Sequence, residues 1–215
     1  MKLNKETKNQ NKLFWKKGIL IIMLTVFTFN LQSQHFGVKA GLNFSSLYNS
    51  KGENFSGDTK TGFAIGAFFS VPIGPFLGIQ PEVMYSQKGY KGSGNVLIAN
   101  FSYTRKVDYL DIPILLQLKP VPFLTVLAGP QFSFLLNKGF DFKSGSISTT
   151  QQTNIENNNI RKNTLGAVVG ADINISHVVL SGRLAWDLQE NKGDGTSISP
   201  KYKLMVAQIT VGLFF

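Results

Sequence analysis

The chain has 215 residues, 22 basic and 12 acidic side chains, a formal charge of +10 and no cysteine. Such a length fits one domain, and the lack of thiols excludes disulfides, cysteine nucleophiles and thiolate metal centres. The positive charge does not call for nucleic acid: residues 1–33 hold six Lys against Glu6 alone, and the remainder carries 16 bases and 11 acids, an excess of +5.

The first element in chain order is a leader. Lys16 and Lys17 precede an apolar run over 18–29. That run has the length of a signal-peptide core and falls short of the ~20 apolar residues that span a bilayer. Ser33 suits the position before a cleavage site, with Leu31 two residues upstream. The expectation is a signal peptide over 1–33 and an exported domain over 34–215. An uncleaved anchor helix is the alternative.

From His35 onward apolar side chains recur at every second position, the period of strands with two unlike faces. Phe36, Val38, Ala40, Leu42 and Phe44 share one face of a first strand, and Gly37, Lys39, Gly41 and Asn43 the other. Similar alternation runs through Phe63–Val71, then Leu77–Tyr85, where Gln80, Glu82, Ser86 and Lys88 form the polar face. It continues in Leu110–Leu118 against Tyr109, Asp111 and Gln117, and in Leu124–Leu136 against Thr125, Gly129, Gln131 and Ser133. Leu165–Ile175 opposes Gly166, Gly170 and Asp172; Val178–Leu188 opposes Ser181, Arg183 and Asp187; Met205–Phe215 opposes Gln208, Thr210 and Gly212. Eight strands are expected.

Their connections alternate between short and long. Pro72–Pro75, Lys119–Pro122 and Ser176–His177 are short, whereas about 48–60, 89–102, 137–163 and 190–201 are long and polar. An outer-membrane barrel has this asymmetry, with short periplasmic turns and long outer loops. The two faces agree: Gly, Ser and amide side chains fit inside a narrow eight-stranded barrel, and bulky Leu, Ile, Val and Phe fit lipid outside. A soluble lipocalin-like barrel would reverse the faces. Pro81, Pro113 and Pro130 are expected at bulges or strand ends, because proline lacks a ladder donor. Tyr48, Phe55, Tyr90, Phe101 and Tyr103 are expected in an aromatic girdle.

The alternation turns Lys39, Glu82, Asp111, Asp172, Arg183 and Asp187 inward. A base facing lipid at mid-depth costs ~2–4 kcal/mol, and an unpaired charge inside a narrow lumen is also costly. Lys39 and Arg183 should therefore pair with acids of neighbouring strands, with Glu82, Asp111 and Asp187 as partners, obstructing the lumen.

The chain ends Gln208-Ile-Thr-Val-Gly-Leu-Phe-Phe215. Ile209, Val211, Leu213 and Phe215 resemble the assembly signal that barrel-insertion machinery recognises. A last strand of this kind would close the barrel on the first and leave no edge for lipid to face.

The segments His35–Asn43, Gly62–Gly66, Pro81–Gly89, Tyr109–Leu115, Ala128–Pro130 and the terminal Val-Gly-Leu-Phe-Phe are similar to those of the PorT-like, porin-family outer-membrane β-barrels, across essentially all of 34–215. The resemblance implies an all-β, eight-stranded antiparallel up-and-down transmembrane barrel. One member class acts in protein secretion and gliding, most members have no assigned role, and no catalytic motif comes across with the fold.

No phosphate loop, zinc-protease helix or G-x-S-x-G elbow is present; Gly92-Ser-Gly-Asn95 reads as loop punctuation. His35 and His177 fall at the rim of the short turns, as solvated side chains. The expectation is a monomeric, non-enzymatic barrel in the outer membrane of a Gram-negative bacterium, without cofactor, metal or nucleic acid. Its contacts would be outer-membrane lipid, the insertion machinery and a periplasmic or surface protein. A small-solute channel is the alternative, and an outer-membrane enzyme would need an acid–base pair that the sequence does not display. Loop 137–163, rich in Ser, Thr, Asn and Gln, reads as a solvated loop, with recognition of a surface partner or glycan as the sharper option.

Overall fold

A computed structural model describes residues 35–48, 57–96, 99–143, 161–190 and 202–215, and at 57, 92–96, 99–103 and 140–143 the backbone only. The leader over 1–33, Phe55 and most of loop 137–163 lie outside the described residues. His35–Phe215 is one compact unit. Its strands are β1 (His35–Tyr48), β2 (Gly57–Pro72), β3 (Leu77–Val96), β4 (Ala99–Val121), β5 (Leu124–Lys143), β6 (Asn163–Ile175), β7 (Val178–Asp187) and β8 (Lys203–Phe214). Each pairs antiparallel with the next, and β8 returns to β1, so the order closes into a barrel.

Closure follows from the match of β8 to β1. The register runs unbroken from Gly37–Phe214 to Tyr48–Lys203. Beyond the last pair, the Phe215 N–H donates to the Phe36 carbonyl at 2.7 Å. Gly41 is needed at this seam: a Cβ there would run into the Ile209 carbonyl oxygen and lie 2.6 Å from Thr210 Cα, backbone that cannot turn aside. Gly41→Val is expected to cost at least ~1–3 kcal/mol through overpacking. The loss should appear as a smaller heat-modifiable fraction on unheated gels; an unchanged fraction would contradict the seam's tightness.

The barrel is turned inside out relative to a water-soluble one. Val83, Leu116, Leu180, Ile209 and Val211 point outward and are exposed, while Lys39, Gln80, Glu82, Asp111, Gln117, Asp172 and Arg183 are buried inside. Only lipid makes such an exterior stable, since water would leave a continuous apolar band uncovered.

Three expectations are corrected. Residues 89–102 are mostly not a loop: β3 and β4 stay paired up to Val96–Ala99, and β5 extends to Lys143. Residues 92–102 carry no apolar alternation in the sequence, while pairing needs only backbone donors and acceptors. Pro81, Pro113 and Pro130 lie within strands and not at bulges; the register shifts fall between Thr59 and Ala64, Asp108 and Tyr109, and Leu118 and Val121. A proline removes one donor but adds no residue, so the register survives it. Tyr90 is not in a girdle but fully buried inside the barrel against Tyr202, ring centroids 5.0 Å apart.

Candidate functional site: the charged lumen

The lumen takes its charges from positions that small residues keep clear. Lys39 on β1 stands in register with Gly66 of β2 and Gly212 of β8, so neither neighbour fills its path inward. Its Nζ reaches past β2 to Glu82 Oε2 of β3 at 2.6 Å. Arg183 on β7 stands beside Gly170 and Gln208. Its Nη1 meets the same Glu82 Oε2 at 2.6 Å. In an eight-strand cycle β3 and β7 face each other, so Lys39–Glu82–Arg183 crosses the barrel.

Glu82, one of the expected acids, thus meets both cations, but from β3, which neighbours neither β1 nor β7. Neighbouring-strand pairing is the rule on open sheets, but inside a narrow barrel long side chains meet across the axis. Asp111 lies 2.8 Å from the Nζ of Lys88, a residue of the polar face that a count of two cations to four acids omits. Asp172 lies 3.6 Å from Arg183 Nη2, too far for a direct hydrogen bond. Asp187 has neither predicted cation; its Oδ2 accepts the Leu204 backbone N–H at 3.2 Å. The central charges balance: Lys39 and Arg183 against Glu82 and Asp172, and Lys88 against Asp111.

Neutral side chains complete both clusters. Gln80 Nε2 donates to Glu82 Oε1 at 2.6 Å, Gln117 Nε2 donates to Gln80, and Ser70 Oγ donates to Gln117 Oε1 at 2.9 Å. Higher up, Ser133 Oγ donates to Asp111 Oδ1 at 2.6 Å and accepts from Gln131 at 3.2 Å. Asn43 donates to Ser86 Oγ at 2.9 Å and accepts from Gln208 at 2.8 Å. Burial in such networks is tolerated because nearly every polar atom has a partner. Among the described residues the exceptions are Arg183 Nε and Nη2, Asp172 Oδ1 and, beside them, the Ser181 and Thr210 hydroxyls, with Ser45 Oγ and Lys60 Nζ nearer the long connections.

Apolar side chains also occupy the interior, which alternation alone did not reveal. Leu115, Leu127 and Val168 pack together inside. Toward the long connections Tyr90, Val107, Tyr109, Tyr202 and Leu204 form a second cluster, and Lys88 Nζ sits 5.1 Å from the Tyr109 ring centre. Between the ion-pair clusters, beside Glu82, Lys88 and Arg183, remains a cavity of about 20 Å³, room for about one water. At the short-turn end a hollow of about 480 Å³ opens beside His35, Gln80, Lys119, Asp172 and His177. His35 and His177 are exposed there, the first 5.8 Å from the Phe214 ring. Among the described residues no cluster of His, Cys, Asp or Glu could hold a metal ion.

On β8, Ile209, Val211, Leu213 and Phe215 are all exposed on the outer face, with the Phe215 ring 6.2 Å from that of Phe36. Tyr48 is partly buried, with Lys203 Nζ 6.0 Å from its ring centre. The side chains of Phe101 and Tyr103 lie outside those described.

The family described as outer membrane protein beta-barrel domain matches residues 30–192. No curated protein matches the chain. Among solved structures, the attachment invasion locus protein Ail of Yersinia pestis is similar at TM-score 0.46 and 9% identity, covering 84% of this chain and 98% of Ail. Neisserial surface protein A gives 0.44 and 14%, over 84% and 97% of the two chains. OprG of Pseudomonas aeruginosa gives 0.42 and 12%, over 84% and 95%.

Proposed function

Because the chain belongs to the outer membrane protein beta-barrel domain family, we propose that it serves as a non-enzymatic structural or interaction barrel without an open conduit. It resides in the outer membrane of a Gram-negative bacterium. In the proposed orientation the long connections face outward and the turns at 73–76, 122–123 and 176–177 face the periplasm. The observation that carries the reading is the Lys39–Glu82–Arg183 bridge, both contacts at 2.6 Å. A solute crossing the lumen would have to break it and strip buried charges of their partners. Planar-bilayer recording tests this: purified barrel should give no steady openings, and a reproducible unitary conductance would turn the reading into a small-solute channel.

The exposed apolar side chains Ile73, Phe76 and Phe123 at the short turns support a second reading. They suit docking of a periplasmic protein, as a secretion or gliding subunit akin to the PorT-like barrels would need. Affinity capture from detergent extract should then recover a defined complex, and capture of the barrel alone would remove this reading. The outer face of β8 is assigned to recognition by the insertion machinery. Phe215→Glu should lower the heat-modifiable protein in the outer membrane several-fold while leaving total synthesis unchanged; equal levels would withdraw that assignment.

A further inference from the structure

The hollow at the short-turn end has about 480 Å³ of room, the size of a small-molecule site. Its inner end is tied to the ion-pair bridge, because Gln80, which lines it, bonds Glu82. A mere water-filled mouth would be walled by mobile, exposed side chains. Here Ser70, Gln80, Gln117, Thr125 and Asp172 all line the hollow, and each is at most 3% exposed.

These polar groups are held in place before anything binds. On one wall Ser70 Oγ donates to Gln117 Oε1 at 2.9 Å, Gln117 donates to Gln80, and Gln80 donates to Glu82. Gly78 is in register with Gln117, and a Cβ on it would lie 2.6 Å from Gln117 Oε1, so the glycine clears the place of that amide. On the other wall Asn174 Nδ2 donates to Thr125 Oγ1 at 3.0 Å. By valence the Thr125 hydroxyl keeps a hydrogen to donate, while Asn174 Oδ1 and Ser70 Oγ keep lone pairs to accept. Side chains fixed in this way lose little further entropy when a ligand arrives. Phe214 adds an apolar wall, its ring held at steep angles to those of Phe68 and His35, with centroids 5.1 and 5.8 Å away.

Charge decides the class of ligand. The lining carries Lys119 and Asp172, of opposite sign, so a carboxylate entering the hollow would face Asp172 and an ammonium would face Lys119. Asp172 already has Arg183 at 3.6 Å, yet its Oδ1 lacks a hydrogen-bond partner. A hydroxyl set against that carboxylate would supply a donor without adding charge. Amides and hydroxyls that can both donate and accept, beside an aromatic ring, suit a ligand with hydroxyls on its edges and C–H groups on its faces. We propose that this hollow binds a small neutral saccharide, with Thr125, Asn174, Ser70 and Asp172 taking its hydroxyls and Phe214 its C–H face. The site goes beyond the structural role above and rests on it only for the bridge that ends the hollow.

Saturation-transfer NMR on the purified barrel, in a detergent without sugar headgroups, tests this without a membrane or a current. Its failure would leave the bilayer recording untouched. The probes are maltose, glucose, acetate and tetramethylammonium. Both sugars should receive magnetisation from the barrel, and the two ions should not. N174W fills the hollow and should abolish the transfer. T125V keeps the shape and the fold and should weaken sugar binding by roughly fivefold, the loss of one neutral hydrogen bond. K138M, at the opposite end, should bind as the parent does. No transfer to either sugar, or unchanged affinity in T125V, would overturn the proposal. Transfer to acetate or tetramethylammonium as strong as to maltose would overturn it too, by assigning the hollow to an ion.

Discussion

Glu82→Gln is expected to destabilise the folded barrel by about 3–5 kcal/mol, the cost of leaving buried charge without its partner. Glutamine keeps the shape of the side chain and can still bond Gln80, so packing is not the cause. What disappears is the one carboxylate touched by both Lys39 and Arg183 at 2.6 Å. Arg183 then retains only Asp172, at 3.6 Å. Lys39, 3% exposed, keeps the Phe68 ring at 5.3 Å but no anion. Urea unfolding of the barrel in lipid vesicles should show the loss as a lower midpoint. The double variant K39M/E82Q should recover part of it, because one uncompensated cation is gone and Arg183–Asp172 is again balanced. A change below about 1 kcal/mol, as for a solvated surface pair, would mean that water reaches the bridge.

Ile209→Arg is expected to cost about 2–4 kcal/mol by placing a charge in hydrocarbon. Ile209 is 55% exposed and faces outward between Leu42 of β1 and Gly182 of β7, away from either end of β8. On a water-soluble barrel the same change would touch nothing and be close to neutral. Ile209→Leu separates the charge from the loss of shape and should be nearly silent. Unfolding midpoints in vesicles report the difference; equal midpoints for the Arg and Leu variants would contradict lipid contact at this position.

The parts of this structure that were legible in the sequence are those fixed by a strict period of two. A strand with lipid on one face and a lumen on the other cannot slip by one residue without exchanging its faces, so the sides of Lys39, Glu82, Asp172, Arg183 and Ile209 follow from local pattern. Glu82 was among the acids expected to meet Lys39 and Arg183, but the route across the lumen was not legible, because it depends on closure: Glu82 and Arg183 are 101 residues apart and meet across the axis. Glycines 170 and 212 were read on the inward face, and their role, with that of Gly66, in clearing paths for Lys39 and Arg183 needed the register. Leu115 and Leu127 were hidden for a related reason. An apolar side chain at a polar-phase position reads as noise until the barrel brings both together with Val168. The paired ribbon to Val96–Ala99 was hidden because Gly92-Ser-Gly-Asn95 carries no apolar alternation to mark it as strand.

Thiol accessibility in vesicles tests the sealed, inverted barrel most directly, since the chain has no native cysteine to interfere. Ser181 is 1% exposed on the inner face of β7, two residues from Arg183, whereas His177 is exposed at the short turn between β6 and β7. With a water-soluble maleimide, His177→Cys should be labelled quickly and Ser181→Cys should stay unlabelled until urea unfolds the barrel. Labelling of Ser181→Cys in the folded protein at the rate of His177→Cys would show water throughout the lumen and contradict the bridged interior.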